Sequence, residues 1–191
     1  MPRPPKARAP LKQAALERFV EQGIHATGIR EIAKHAGVSE AALYRHWKNK
    51  EDLVHSLFIE HLAEVVALLD AAVATGKDIH TQVQAAATAA FRLYDEQPLV
   101  FRFVLLVQHE LSRQLSNELR MPNDVVIAMI QAAIKRKEIP PCEPVLASAQ
   151  LVGMFLETAT FTIYGRLEEP LEQYAQPVAD AALRVLRAQA R

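Results

Sequence analysis

One periodicity runs through the whole chain. Apolar side chains recur every three to four residues, and no run of strand length alternates apolar with polar, so the sequence predicts an all-α fold. Proline and glycine punctuate that pattern at Pro10, Gly23, Gly37, Gly76, Pro98, Pro122, Pro140, Pro141, Pro144, Pro170 and Pro177. They leave about nine helical pieces, expected near 11–22, 28–35, 39–46, 50–74, 78–96, 98–117, 123–137, 143–165 and 171–189. With 191 residues, half of them apolar, the chain is long enough to bury a core without disulfides. Its one cysteine, Cys142, excludes an internal disulfide and a multi-thiolate zinc site.

Formal charge is zero overall, but it is unevenly placed. Residues 1–50 hold 10 Lys+Arg against 4 Asp+Glu, and residues 51–191 hold the remaining 12 against 18. A basic end on an acidic body is the pattern of a nucleic-acid-binding module joined to something that binds otherwise. The expected division is therefore a basic arm and DNA-binding domain over 1–50 and a second, helical domain over 51–191.

The second and third predicted helices are short and separated by Ala36-Gly37-Val38, a helix-turn-helix spacing. Gly37 suits the left-handed conformation that ends one helix, and Ser39 suits the cap of the next. Ile32, Val38, Leu43 and Trp47 fall where they would pack together and onto Ala15, Leu16, Phe19 and Val20 of the first helix.

Phe19, Gly23, Thr27, Ile32-Ala33, Ala36-Gly37-Val38-Ser39, Leu43-Tyr44, His46-Trp47 and Lys50-Glu51 together resemble the N-terminal domain of TetR-family transcriptional regulators, over about residues 11–55. The resemblance implies that the helix Ser39 to His46 enters the major groove. It places Tyr44, His46 and Lys50 on phosphates, with Thr27 and Ser39 positioning the DNA backbone. Base reading would fall to Glu40, Ala41 and Ala42, with Arg30 as the guanine candidate and Arg45 in reach of a base or a phosphate. Gly28 and Trp47 depart from the family's commoner Ser/Thr and Phe. The arm from Pro2 to Arg8 is either a solvated tail or a minor-groove contact.

Over 51–191 the resemblance implies a helical effector-binding and dimerisation domain, but the family's sequences diverge there, and helical stripes must place its residues. Val54, Leu57, Phe58, His61, Val65 and Leu68 share one face; Phe101, Val104, Leu105, Gln108, Leu111 and Leu115 share another. His61 and Gln108 are the polar exceptions, and either hydrogen-bond within the core or orient an effector in a mostly apolar pocket. The effector residues proposed on that basis are His61, Phe101, Leu105, Gln108, Met154, Phe155 and Thr158. Small residues Ala149, Gly153 and Thr160, with Val178, Ala181, Ala182 and Val185, are the expected two-fold interface, as the family's last two helices imply.

These readings lead to a sequence-specific DNA-binding regulator. It is expected to be a homodimeric repressor released from a near-palindromic double-stranded operator by a small apolar effector. A helical protein-binding scaffold is the alternative, and a small helical enzyme a more distant one. No phosphate loop, paired-glycine fingerprint or repeated Glu-x-x-His unit is present, so no catalytic residue, cofactor or metal is expected. The stretch from Val145 to Gly165, interrupted by Gln150 and Glu157, reads as a buried helix and not a membrane span. The N-terminus lacks the apolar run of a secretory signal. A cytoplasmic location follows.

Overall fold

The computed structural model describes residues 8–111 and 119–188, apart from the side chains at 106 and 108–111. Among these residues there are nine α-helices and no strand, as the periodicity predicts. The helices are α1 (Arg8–Gln22), α2 (Ile29–His35), α3 (Glu40–Tyr44), α4 (Lys50–Thr75), α5 (Ile79–Glu96), α6 (Pro98–Leu111), α7 (Pro122–Lys135), α8 (Pro144–Ile163) and α9 (Ala175–Ala188).

The starts of the first and last helices differ from expectation. Pro10 and Pro177 both sit at the third position of a helix, inside the first turn. There the missing N–H has no intrahelical acceptor to lose, so proline does not mark the start. The segment expected to open the last helix, Leu171–Tyr174, is instead a separate turn of 3-10 helix. Its backbone N–H groups at Leu171 and Glu172 donate to the Asp95 carboxylate at 2.7 and 2.8 Å.

The chain divides into two compact units. The first comprises Met1–His61 with Leu99–Leu115, and the second Leu62–Pro98 with Ser116–Arg191. In the first, Leu11, Ala15, Phe19, Ile32, Leu43, Leu53, Leu57, Phe58, Phe103 and Val107 are at most 1% exposed. Phe19 of α1 stacks on Phe103 of α6, centroids 6.1 Å apart. The second unit is built on Ile79, Val83, Met129, Ile130, Ala133, Ala147, Leu151, Ala179, Leu183 and Leu186.

The α8 helix departs from the buried helix expected of it. It is long and apolar enough to cross a membrane by length and composition, yet only 28% of its most apolar stretch is buried. Ala147, Ser148, Leu151, Ala159 and Thr162 turn inward, while Leu146 and Phe161 remain about half exposed and Tyr164, just past the helix, is 71% exposed. The charged and amide groups that interrupt the run, Glu157 and Gln150, are on this exposed side.

Candidate nucleic-acid interface

The turn between α2 and α3 has the geometry its sequence predicts. Gly37 adopts φ +68°, its N–H donates to the Lys34 carbonyl at 3.1 Å, and the Val38 N–H donates to the Ala33 carbonyl at 3.0 Å. These crossed bonds are a Schellman close, satisfying carbonyls that the end of α2 would otherwise strand. Ser39 then caps α3, its hydroxyl accepting from the Ala42 N–H at 3.3 Å. Gly28 begins α2 without a side-chain cap.

The short helices bury one side and leave the other open. Ile32, Ala33, Ala42, Leu43 and Trp47 are at most 5% exposed. Arg30, Ser39, Glu40, Ala41, Tyr44, Arg45 and His46 are exposed, with the Arg30 side chain 91% accessible. The outer face therefore carries polar and cationic groups on a rigid apolar base. Arg8 adds a cation 5.8 Å from the Trp47 ring centroid, and the arm residues before it lie outside the described residues.

Three residues predicted to touch DNA are turned inward. Thr27 is 1% exposed, and its hydroxyl lies 2.8 Å from the Gly23 carbonyl and 3.2 Å from that of Arg18. It closes the loop after α1 and has no surface with which to position a phosphate. Ala42 is 5% exposed because α3 places it about 100° around from Ala41, on the side that packs against the core, so it cannot meet a base. The Lys50 ammonium donates to the carbonyls of Ile24, Thr27 and His25 at 2.9, 3.1 and 3.4 Å. These acceptors occupy the donors expected for a phosphate.

Other ties lock the same frame. Lys12 of α1 is paired with Glu60 of α4, and the carboxyl of Glu60 is held below its usual range by that hydrogen-bonded ammonium. Glu17 of α1 meets His35 of α2 at 2.6 Å. Hydrogen bonds from Gln13 and His35 lower the pKa of Glu17. Arg18 pairs with Glu21 at 2.9 Å and with Glu31 at 3.5 Å. At the start of α4, Asn49 accepts from the Asp52 N–H at 2.8 Å, while Asp52 accepts from Lys48 N–H at 2.9 Å. Lys48 itself is exposed immediately after α3. Its place beside the basic helix marks Lys48 as a further cation of the outer face, where the sequence pointed to Lys50.

The candidate effector residues divide between the units. In the first, Phe101 is buried and Leu105 half-buried, and half-buried His61 sets its ring edge-on to Phe103 at 6.3 Å. Gln108 lies outside the residues whose side chains are described. In the second, Phe155 stacks on Phe91 with centroids 4.5 Å apart. Beside it, Met154 packs partly on the core and the Thr158 hydroxyl donates to the Met154 carbonyl at 2.8 Å. Arg102 of α6 is half-buried with an Nε that has no hydrogen-bond partner.

The candidate interface residues also differ in orientation. Ala149 and Gly153 are exposed and Thr160 is half-buried; a Cβ built at Gly153 meets nothing within 4 Å. Val178, Ala181 and Val185 are half-buried. Ala182 is 4% exposed within the second unit's core, so it has no area left to offer a partner. Among the described residues no group of three His, Cys, Asp or Glu side chains could hold a metal.

Comparison with known proteins places the helix-turn-helix in a recognised setting. The family described as bacterial regulatory proteins, tetR family, matches residues 11–57. The HTH-type transcriptional activator FasR of Mycolicibacterium smegmatis is 28% identical over 129 residues, 68% of this chain and 59% of that protein. The chain spans between 29% and 59% of the length of the first curated relatives it matches. The fatty acid degradation regulator FadR from Bacillus halodurans superposes with a TM-score of 0.81 at 20% identity, covering 96% of this chain and 97% of that one. FadR from Bacillus subtilis, solved in complex with stearoyl-CoA, gives 0.74 at 23% identity, covering 91% and 96%. Both structures share the fold.

Proposed function

We propose that the chain is a TetR-family repressor, as the match over residues 11–57 supports, that binds a near-palindromic operator as a homodimer and releases it on binding an acyl-chain effector. The observation that carries the DNA reading is the outward row Arg30, Glu40, Ala41 and Tyr44, with Arg45 and His46 just past α3, over the buried Ile32, Ala33, Ala42, Leu43 and Trp47. In this reading α3 lies in the major groove, Arg30, Glu40 and Ala41 face base edges, and Tyr44, Arg45, His46 and Lys48 hold phosphates. Ser39 fixes the start of the reading helix; Thr27, Ala42 and Lys50 keep the frame beneath it. A DNA-bound role puts the protein in the cytoplasm and assigns it no catalysis.

Dimerisation is assigned to the exposed side of α8, through Leu146, Ala149, Gly153, Thr160 and Phe161, with Val178, Ala181 and Val185 of α9. Apolar side chains such as Leu146 and Phe161 that stay exposed among the described residues favour a two-fold contact. The acyl-CoA class of effector is supported by the stearoyl-CoA complex of a protein with the same fold and by the aromatic pair Phe91 and Phe155, which suits an apolar chain. Such a molecule induces only by binding the DNA-free state more tightly.

Selection of bound duplexes from a random DNA pool by the purified full chain at physiological salt tests this function. Enrichment of an inverted repeat with half-sites about 34–36 Å apart, or a multiple of that, is expected. A pool that stays random after selection refutes it.

A further inference from the structure

Two opposite charges meet at the centre of the outward face. Arg30 projects from α2 and Glu40 begins α3; Nε of the first lies 3.9 Å from Oε1 of the second, with side chains 91% and 49% exposed. An ion pair so exposed contributes little to holding helices together. The two helices are already joined by the Gly37 turn and by the buried Ile32, Ala33 and Leu43. A strut is therefore not what this pair supplies. Glu40 does not cap α3 either, because Ser39 does.

A lone carboxylate on a surface aimed at phosphates would be repelled, and Arg30 beside it removes that repulsion. The pairing through Nε also leaves the two terminal guanidinium nitrogens as a free fork of donors, while Glu40 keeps a second oxygen as an acceptor. The couple thus offers donor, donor and acceptor side by side. In the major groove a G·C pair offers the complement: acceptors at guanine N7 and O6 and a donor at cytosine N4. An A·T pair sets the adenine N6 donor against the fork and the thymine O4 acceptor against the carboxylate. Reversing the pair to C·G inverts the order.

We propose that Arg30 and Glu40 form one composite reader of a single G·C base pair in each half-site, Arg30 bonding guanine and Glu40 the paired cytosine. This inference rests on the DNA-binding reading above and specifies how one part of the site selects sequence. It differs from two independent contacts in that neither residue reads correctly without the other. It differs from a phosphate contact in that Arg30, spent on a base, adds nothing to counterion release.

The test is competition binding of the full-length protein to its selected operator and to every single-base-pair variant of it. It uses wild type, Arg30→Ala, Glu40→Gln and the double variant. Wild type should prefer G·C at one position per half-site by about tenfold or more. Each single variant should flatten that same position and the double variant should flatten it no further, with preferences elsewhere retained as proof of folding. The salt slope of Arg30→Ala should equal that of wild type. Glu40→Gln with the preference intact, effects at two different positions, or a slope reduced by about one in Arg30→Ala overturns the composite reader alone. If wild type enriches no sequence, the regulator reading fails and this proposal with it.

Discussion

Lys50 donates to the backbone carbonyl of Thr27 at 3.1 Å, so two residues whose positions suggest contact with a DNA backbone are engaged with one another. Thr27 holds the loop after α1 through its hydroxyl, and Lys50 holds the same loop from the first residue of α4. The beginning of α4 is thereby fastened to the frame that carries the reading helix.

Thr27→Val and Lys50→Ala should lower stability by about 1–3 kcal/mol, since each strands buried or half-buried carbonyl groups. Thermal unfolding checks the loss. Salt titration of DNA binding separates this role from phosphate contact: both variants should keep the wild-type slope, while Arg45→Ala should reduce it by about one. A reduced slope in Lys50→Ala would return that ammonium to the DNA.

The helix-turn-helix was legible because its signals are local. Gly37 for a left-handed close, Ser39 for a cap and the apolar stripe of Ile32, Leu43 and Trp47 each act within a few residues and agree with one another. Direction was the part that local signals could not supply. Ala41 and Ala42 are chemically identical, and only the rotation of α3 against the core decides that one is exposed and the other buried. Lys50 is a cation beside a basic motif, and its acceptors lie 23 to 26 residues earlier. Ala182 illustrates the same limit, since small residues suit a packed core and a helix interface equally well.

The dimer assignment makes a prediction at Gly153, where a Cβ meets nothing within 4 Å. Gly153→Arg should leave helicity and unfolding of the single chain near wild type, because the substitution improves helix propensity by about 0.5–1 kcal/mol. In the dimer it would crowd the contact. Sedimentation should show a dimer for wild type and a monomer for the variant; a dimeric variant would move the interface away from this face of α8.

Acid should weaken the tie between Lys12 and Glu60. The carboxyl of Glu60 is held below its ordinary pKa of about 4.5 by the hydrogen bond from Lys12. The folded protein therefore binds fewer protons there than the unfolded chain. This stabilisation is present above the ordinary value and is lost as pH falls through the depressed one. Glu60→Gln should cost about 0.2–1 kcal/mol at neutral pH, in keeping with a partly exposed pair. That difference from wild type should shrink as pH falls below about 4. A gap that stays constant through that range would assign the cost to packing.

The effector assignment predicts that stearoyl-CoA dissociates wild type from its operator, while free coenzyme A does not. Phe155→Ala should raise the concentration needed by about tenfold or more, because a buried aromatic contact contributes on the order of 1.5–3 kcal/mol. Fluorescence anisotropy of labelled operator reads the release. An unchanged response in Phe155→Ala would place the acyl chain elsewhere in the protein.

The central claim is specific operator recognition by a dimer, and titration of the selected duplex against a scrambled duplex of equal length and composition measures it. At physiological salt the account predicts binding about a thousandfold tighter to the selected duplex, saturating at an even number of chains per operator. Equal affinity for both duplexes, or saturation by a single chain, would contradict it.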